Sequence, residues 1–214
     1  MPDKPRLLDL FCGGGGAAMG YARAGFEVVG VDINRQPNYP FEFIQADATT
    51  YPLDGFDVVH ASPPCQLYTR KAADWGRKRN HWIEHPDLVG PTRDRLAASG
   101  LPYVIENVPG APLDAQLMLC GSMFGLRIRK HRLFEANWPL PVAPAPCHHV
   151  DLYNPWQGAG RSAVKLRAAM GIDWLAISGG ASRKKGVTGD LFNAIPPAYT
   201  EHIGRAWIER LTRG

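Results

Sequence analysis

The first 32 residues carry the feature that most restricts the fold: an apolar run, four consecutive glycines, a helical stretch and a second apolar run. Arg6 to Phe11 reads as a buried strand holding one acid, Asp9. Gly13-Gly14-Gly15-Gly16 makes a turn, Ala17 to Ala24 has helical character and stops at Gly25, and Glu27 to Val31 is a second β-rich run ending at Asp32. Strand, glycine turn, helix and strand in that order open a doubly wound α/β sheet. Phe41–Gln45, Phe56–His60 and Leu101–Ile105 read as further strands, with Leu117–Cys120 and Leu133-Phe134 as shorter candidates. Trp138 to about Gly160 is rich in Pro, Gly and His and reads as loops or a small lobe. Ala198 to Leu211 is expected to be a closing helix, with Ile203, Trp207 and Leu211 at helical spacing.

A glycine turn between strand and helix lets a ligand approach the backbone and meet the helix N-terminal amides. Asp32 is placed to accept hydrogen bonds from ribose hydroxyls, and Asp47, after the third strand, could serve an adenine amino group. This much fits a nicotinamide cofactor nearly as well as S-adenosylmethionine. Gly13, Gly15 and Ala18 match the dehydrogenase Gly-x-Gly-x-x-Gly only loosely. For any single Asp, a turn or cap is the ordinary role.

Two features at strand ends suggest chemistry. Ser62-Pro63-Pro64-Cys65-Gln66 follows the fourth strand, at the sheet edge where open α/β folds bind ligands. The prolines stiffen the approach to Cys65, and a neighbouring cationic cluster would favour its thiolate. Val104-Ile105-Glu106-Asn107-Val108-Pro109 puts a carboxylate at the end of the fifth strand, on the same edge.

At 214 residues, 45% hydrophobic and 21% charged, the chain is expected to be one globular domain with room for a small appended lobe. It has no membrane-length apolar stretch, and Met1 to Leu8 does not resemble a secretory signal, so a cytoplasmic location is expected. The net charge is +4, but the basic residues cluster at Arg70-Lys71, Arg77-Lys78-Arg79, Arg127 to Arg132 and Arg183-Lys184-Lys185, which favours a nucleic-acid partner. The cysteines, Cys12, Cys65, Cys120 and Cys147, show no pairing pattern. Cys147-His148-His149 could be a metal corner, but only distant Cys120 is on offer to complete it; a polar loop and no metal are expected.

Taken together, these motifs resemble the cytosine-5 DNA methyltransferase family. Asp9-Leu10-Phe11-Cys12-Gly13-Gly14-Gly15-Gly16 is similar to its cofactor motif, and Asp32 and Asp47 match the acids of its second and third motifs. Pro63-Pro64-Cys65-Gln66 matches its catalytic motif, Glu106-Asn107-Val108 its glutamate motif, and Gly189 to Pro197 its last motif. The matches keep the family's order over nearly the whole chain. The resemblance implies a Rossmann-like, doubly wound S-adenosylmethionine-dependent methyltransferase sheet. Its cofactor-binding residues would be Asp9, Phe11, Gly13, Gly15, Asp32, Ile33, Asp47, Ala48, Pro63, Asn193 and Ala194. It implies that Cys65 attacks carbon 6 of cytosine, that Glu106 hydrogen-bonds ring nitrogen 3 and the exocyclic amine, and that Arg132 supports the pyrimidine carbonyl.

The chain departs from the family in two places. Of the eighth motif only Arg132, before Leu133-Phe134, carries over, with Lys130 held as a second basic position. The target-recognition region is short. The expected organisation is a catalytic and cofactor-binding domain over 1–134, a recognition region over 135–188, and a returning segment over 189–214. The expected partner is cytosine-containing DNA, duplex with a flipped base, gripped by Arg70, Lys71, Arg77, Lys78, Arg79 and Lys130. Carbon-5 methylation of a free cytosine nucleotide and a non-catalytic DNA-binding relative are the alternatives. A nicotinamide oxidoreductase rests on the glycine turn alone.

Overall fold

The computed structural model describes residues 4–69, 85–150, 152, 163–175 and 191–213. The strands are β1 (Arg6–Leu10), β2 (Glu27–Asp32), β3 (Glu42–Gln45), β4 (Val58–Ala61), β5 (Tyr103–Asn107), β6 (Leu117–Leu119) and β7 (Arg132–Ala136). The helices are α1 (Gly16–Ala24), α2 (Val89–Ser99), α3 (Ala163–Met170) and α4 (Pro197–Arg213). The strands form a seven-stranded sheet in the order β3-β2-β1-β4-β5-β7-β6. β1 to β5 pair in parallel, whereas β7 runs antiparallel to both β5 and β6. The order reverses between β1 and β4, so the crevice at their carboxyl ends is the natural ligand site.

The expected strands and closing helix are all present, with boundaries shifted by up to two residues. α2 carries Gly90 and Pro91 in its first turn, which hide it from a reading by composition. Proline is tolerated there because first-turn amides have no intrahelical acceptor.

Alternation along β1 divides the core. Leu7 faces Tyr21, Phe134, Tyr199 and Trp207, while Leu8 and Leu10 face Val31, Val59, Leu96 and Ile105 on the other side. A third cluster joins Ile128 to Leu166, Met170, Ile172, Leu175 and Leu191. α1 and α4 cross tightly because glycine removes side chains at the contact. A Cβ on Gly16 would lie 2.3 Å from the Ile195 carbonyl oxygen, and one on Gly20 would lie 2.0 Å from Thr200 Oγ1. That approach carries residues 193–195 to the mouth of the crevice. Among the described residues no helix is long and apolar enough to cross a membrane.

Candidate active site

The turn after β1 shapes one end of the site. Cys12 N–H donates to the Val31 carbonyl at 3.1 Å, and Gly15 N–H donates to the Cys12 carbonyl at 3.1 Å. Phe11 has φ 57°, a left-handed conformation costly for a bulky residue. The Asp32 carboxylate accepts from Gly13 N–H at 3.1 Å and Asn34 N–H at 2.8 Å, locking the ends of β1 and β2 together. With two lone pairs on each oxygen it can still accept more.

Asp9 lies on β1 beneath this turn and is fully buried. Its Oδ2 accepts from the Tyr39 hydroxyl at 3.4 Å, and its Oδ1 has no hydrogen-bond partner. Burial, reinforced by the negative charges of Asp32 and Glu106, pushes its carboxyl up to about 8 against the pull of Tyr39.

Beyond β4 the chain enters Ser62-Pro63-Pro64 and reaches Cys65, which caps a single 3₁₀ turn over Gln66–Tyr68. Asn107, at the end of β5, donates Nδ2–H to the Pro63 carbonyl at 2.9 Å. The neighbouring Glu106 is buried, and Arg132 Nε on β7 stands 2.8 Å from its Oε1. This is an ion pair without an aligned hydrogen bond to that oxygen. Burial raises the Glu106 carboxyl, opposed by Arg132 and a hydrogen bond from Ser62.

Burial likewise raises the Cys65 thiol; Arg132 is the main opposing charge and Glu106 adds to the rise. The cation expected beside Cys65 is therefore Arg132, and it does not outweigh burial in the resting site.

A hydrogen-bond chain supports Glu106 from below. The Tyr21 hydroxyl lies 3.1 Å from His60 Nδ1, and His60 Nε2 lies 2.9 Å from Ser62 Oγ. Burial drives the His60 pKa down to about 3 and keeps Tyr21 a phenol. A phenol that donates to Nδ1 leaves the proton on Nε2, so His60 donates to Ser62 and frees the Ser62 hydroxyl for Glu106. The sequence reading missed this chain. Its only outward signal is a histidine inside an otherwise apolar strand.

The structure brings most of the expected site together around one cavity of about 270 Å³. It is lined by the expected cofactor residues Asp9, Phe11, Gly13, Asp32, Ile33, Pro63, Asn193 and Ala194 and by the expected catalytic residues Cys65, Glu106 and Arg132. Gly15 does not line it but shapes the turn: it is left-handed at φ 79°, and a Cβ there would lie 2.7 Å from Pro40 Cδ.

Asp47 and Ala48 also lie off the cavity. Asp47 Oδ1 accepts from the Thr49 N–H and hydroxyl at 2.8 and 2.7 Å. That is the ordinary turn role of an aspartate.

The expectation that Lys130 grips DNA is corrected. Lys130 is buried, and its Nζ donates to the Phe192 carbonyl at 2.5 Å, tying the approach to β7 to the segment before α4. Burial lowers its pKa well below the usual lysine range. Arg70, Lys71, Arg77, Lys78 and Arg79 lie outside the described residues.

No protein-family model matches the sequence, and no curated protein matches it. Solved structures do. The chain is similar to the Entamoeba histolytica methyltransferase EhMeth at a TM-score of 0.63, with 11% identity over 98% of this chain and 99% of that one. It is similar to the S. pombe Dnmt2 methyltransferase at a TM-score of 0.60, with 13% identity over 98% of this chain and 99% of that one. At such identities the likeness establishes the fold: a Rossmann-like α/β sheet of the kind these methyltransferases share.

Proposed function

We propose that the chain transfers a methyl group from S-adenosylmethionine to carbon 5 of cytosine in DNA through a covalent Cys65 adduct. The observation that carries this reading is the convergence of Cys65, Glu106 and Arg132 on one cavity with Asp9 and Asp32. The residues at the cofactor end fit the cofactor. Asp32 offers a carboxylate for ribose hydroxyls, Asp9 Oδ1 is a buried acceptor lacking a donor, and the glycine turn admits a ligand to the α1 amides. S-adenosylmethionine, when bound, supplies an electrophilic methyl group.

Carbon 5 of cytosine is a poor nucleophile, and covalent catalysis activates it. The Cys65 thiol releases its proton to solvent as substrate binds, with Arg132 as its main stabilising cation, and the sulfur adds to carbon 6. Glu106, held toward its protonated form by burial, donates to ring nitrogen 3 and accepts from the exocyclic amine. Arg132 braces Glu106 and supports the pyrimidine carbonyl. After methylation the carbon 5 proton passes to a base, the carbon 6–sulfur bond breaks, and the ring and thiolate are restored. The target base must leave the duplex stack, at about a few kcal/mol. The basic residues Arg70, Lys71, Arg77, Lys78 and Arg79 are proposed to grip the phosphates around it.

The test is methyl transfer from radiolabelled S-adenosylmethionine to duplex DNA, single-stranded DNA and free cytosine nucleotides, followed by nucleoside analysis. Label recovered as 5-methylcytosine in DNA is the expected result. Label confined to free nucleotides would move the substrate to the nucleotide, which the short 135–188 region favours. Label in none of them, despite cofactor binding, would overturn the acceptor.

A further inference from the structure

The expectation that Cys147-His148-His149 is a plain polar loop overlooks what the β6–β7 hairpin does. The last pair of that hairpin is Leu119 opposite Arg132. One step further, the antiparallel register sets Cys120 opposite His131, at the separation where cross-strand side chains meet. The segment that leaves β7 then returns over the hairpin and brings Cys147 and His149 to the same point. One ligand atom from each of these four residues falls within 4.8 Å of all the others. Cys120 Sγ lies 3.6 Å from His149 Nε2, and His131 Nε2 lies 3.2 Å from Cys147 Sγ. The two imidazoles meet edge to face with centroids 4.9 Å apart.

We propose that Cys120, His131, Cys147 and His149 form a structural zinc site. Ordinary zinc–sulfur and zinc–nitrogen bonds of about 2.3 and 2.0 Å imply tetrahedral edges of about 3.3–3.8 Å; the 3.6 Å contact falls in this range and the 3.2 Å contact lies just below it. A third contact, Cys147 Sγ to His149 Nε2 at 2.6 Å, must open by about 1 Å as the ion enters. Two sulfurs and two imidazole nitrogens, with no oxygen donor, select zinc over magnesium or calcium. Four protein ligands close the coordination sphere and leave no position for substrate, so the ion holds structure and does no chemistry. Both thiols lose their protons as the ion binds, and the two imidazoles bind neutral.

Other contacts show the cluster is built around. The Ser122 hydroxyl lies 3.5 Å from Cys120 Sγ and 3.7 Å from Cys147 Sγ, and it accepts from His148 N–H at 3.1 Å. Polar partners of this kind orient metal ligands. Residues 141–150 form no helix or strand, none of them is buried, and Val142 and Val150 are exposed, so apolar packing does little to hold this stretch. A metal is the means by which small, loop-rich regions are fastened. The fastening point adjoins the active site, because His131 immediately precedes Arg132.

The test is elemental analysis of the full chain, purified without a polyhistidine tag after growth in zinc-supplemented medium. One zinc per chain is expected, with removal by chelator lowering the melting temperature by more than about 5 °C and zinc restoring it. Cobalt substituted for zinc should give the intense visible bands of tetrahedral thiolate coordination. The double variant Cys147→Ser/His149→Ala should lose the metal while Cys65→Ser keeps it. If the double variant does not fold, the zinc content and cobalt spectrum of the unaltered chain decide. Absence of stoichiometric metal together with absence of the cobalt bands overturns the site. Retention of the metal by a folded double variant, or a Cys120–Cys147 disulfide in freshly purified protein, does so too.

Discussion

Asn107 Nδ2 donates a 2.9 Å hydrogen bond to the Pro63 carbonyl, joining the strand that bears Glu106 to the turn that bears Cys65. Both atoms are buried, and Asn107 Oδ1 is itself engaged by the Val108 N–H at 2.8 Å. The amide is therefore held at both ends. It fixes the separation of the two groups that the proposed mechanism sets on opposite parts of one ring.

Replacing Asn107 by Ala should leave the Pro63 carbonyl without a donor and let the Cys65 turn drift. A stability loss of about 1–3 kcal/mol is expected from the buried unsatisfied group. Turnover should fall by about tenfold or more, since each 1.4 kcal/mol of lost positioning is one decade. Affinity for S-adenosylmethionine should stay within about twofold, because the cofactor end is untouched. Single-turnover methyl transfer and calorimetry read the two separately; equal losses in both would place Asn107 in general folding instead.

Cys65→Ser should abolish turnover and spare cofactor binding, whereas Asp32→Ala should weaken cofactor binding. An alkoxide is far harder to form than a thiolate at neutral pH, so the serine side chain cannot add to carbon 6. Methylation retained by Cys65→Ser would remove it as nucleophile, and unchanged affinity in Asp32→Ala would disprove its assignment to the ribose.

The buried carboxyl of Asp9 makes stability depend on pH. Its pKa is raised from 3.8 to about 8 on folding, so the native state holds a proton that the unfolded chain releases. Its contribution is greatest below 3.8, is lost as pH rises to about 8, and is constant above. His60 works the other way: lowered from 6.5 to about 3, it stabilises above 6.5 and loses this as pH falls. The two slopes oppose each other below 6.5; between 6.5 and 8 Asp9 is opposed instead by Lys130, which folds with its pKa far below the lysine range, so the Asp9 contribution, up to about 1.4 kcal/mol per pH unit, is read as a difference from Asp9→Asn. Urea unfolding across that interval should show stability falling with pH in the unaltered chain relative to Asp9→Asn. Identical profiles would mean that Asp9 folds ionised.

Glycines at the α1–α4 crossing should resist even an added methyl group. Gly20→Ala would set its Cβ 2.0 Å from Thr200 Oγ1 and 2.2 Å from the Pro197 carbonyl oxygen, with backbone forced to shift. A loss of about 1–3 kcal/mol is expected. Gly90→Ala, in α2 with nothing but its chain neighbours within 4 Å of the new Cβ, should lose less, its cost being the crowding of Pro91 against a helical residue that carries a Cβ. Thermal melts of the two variants test the contrast, and equal effects would mean the helix crossing can relax.

The amino-acid order by itself determined the strands, the glycine turn, the closing helix, and the residues at the strand ends where Cys65 and Glu106 stand. These are local matters: apolar runs, turn chemistry and the polarity of a parallel sheet can all be read from neighbours along the chain. Tertiary structure alone decided the rest. Lys130 reads as one more surface cation until the packing of residues 191–195 buries it against the Phe192 carbonyl. His60 becomes a link between Tyr21 and Ser62 only when α1 lies on β4. Cys120, His131, Cys147 and His149 show no ligand spacing along the chain, since an antiparallel hairpin and a returning loop bring them together. Side chains that meet across long sequence separations leave no periodicity to read, and only the closed sheet reveals which of them share a site.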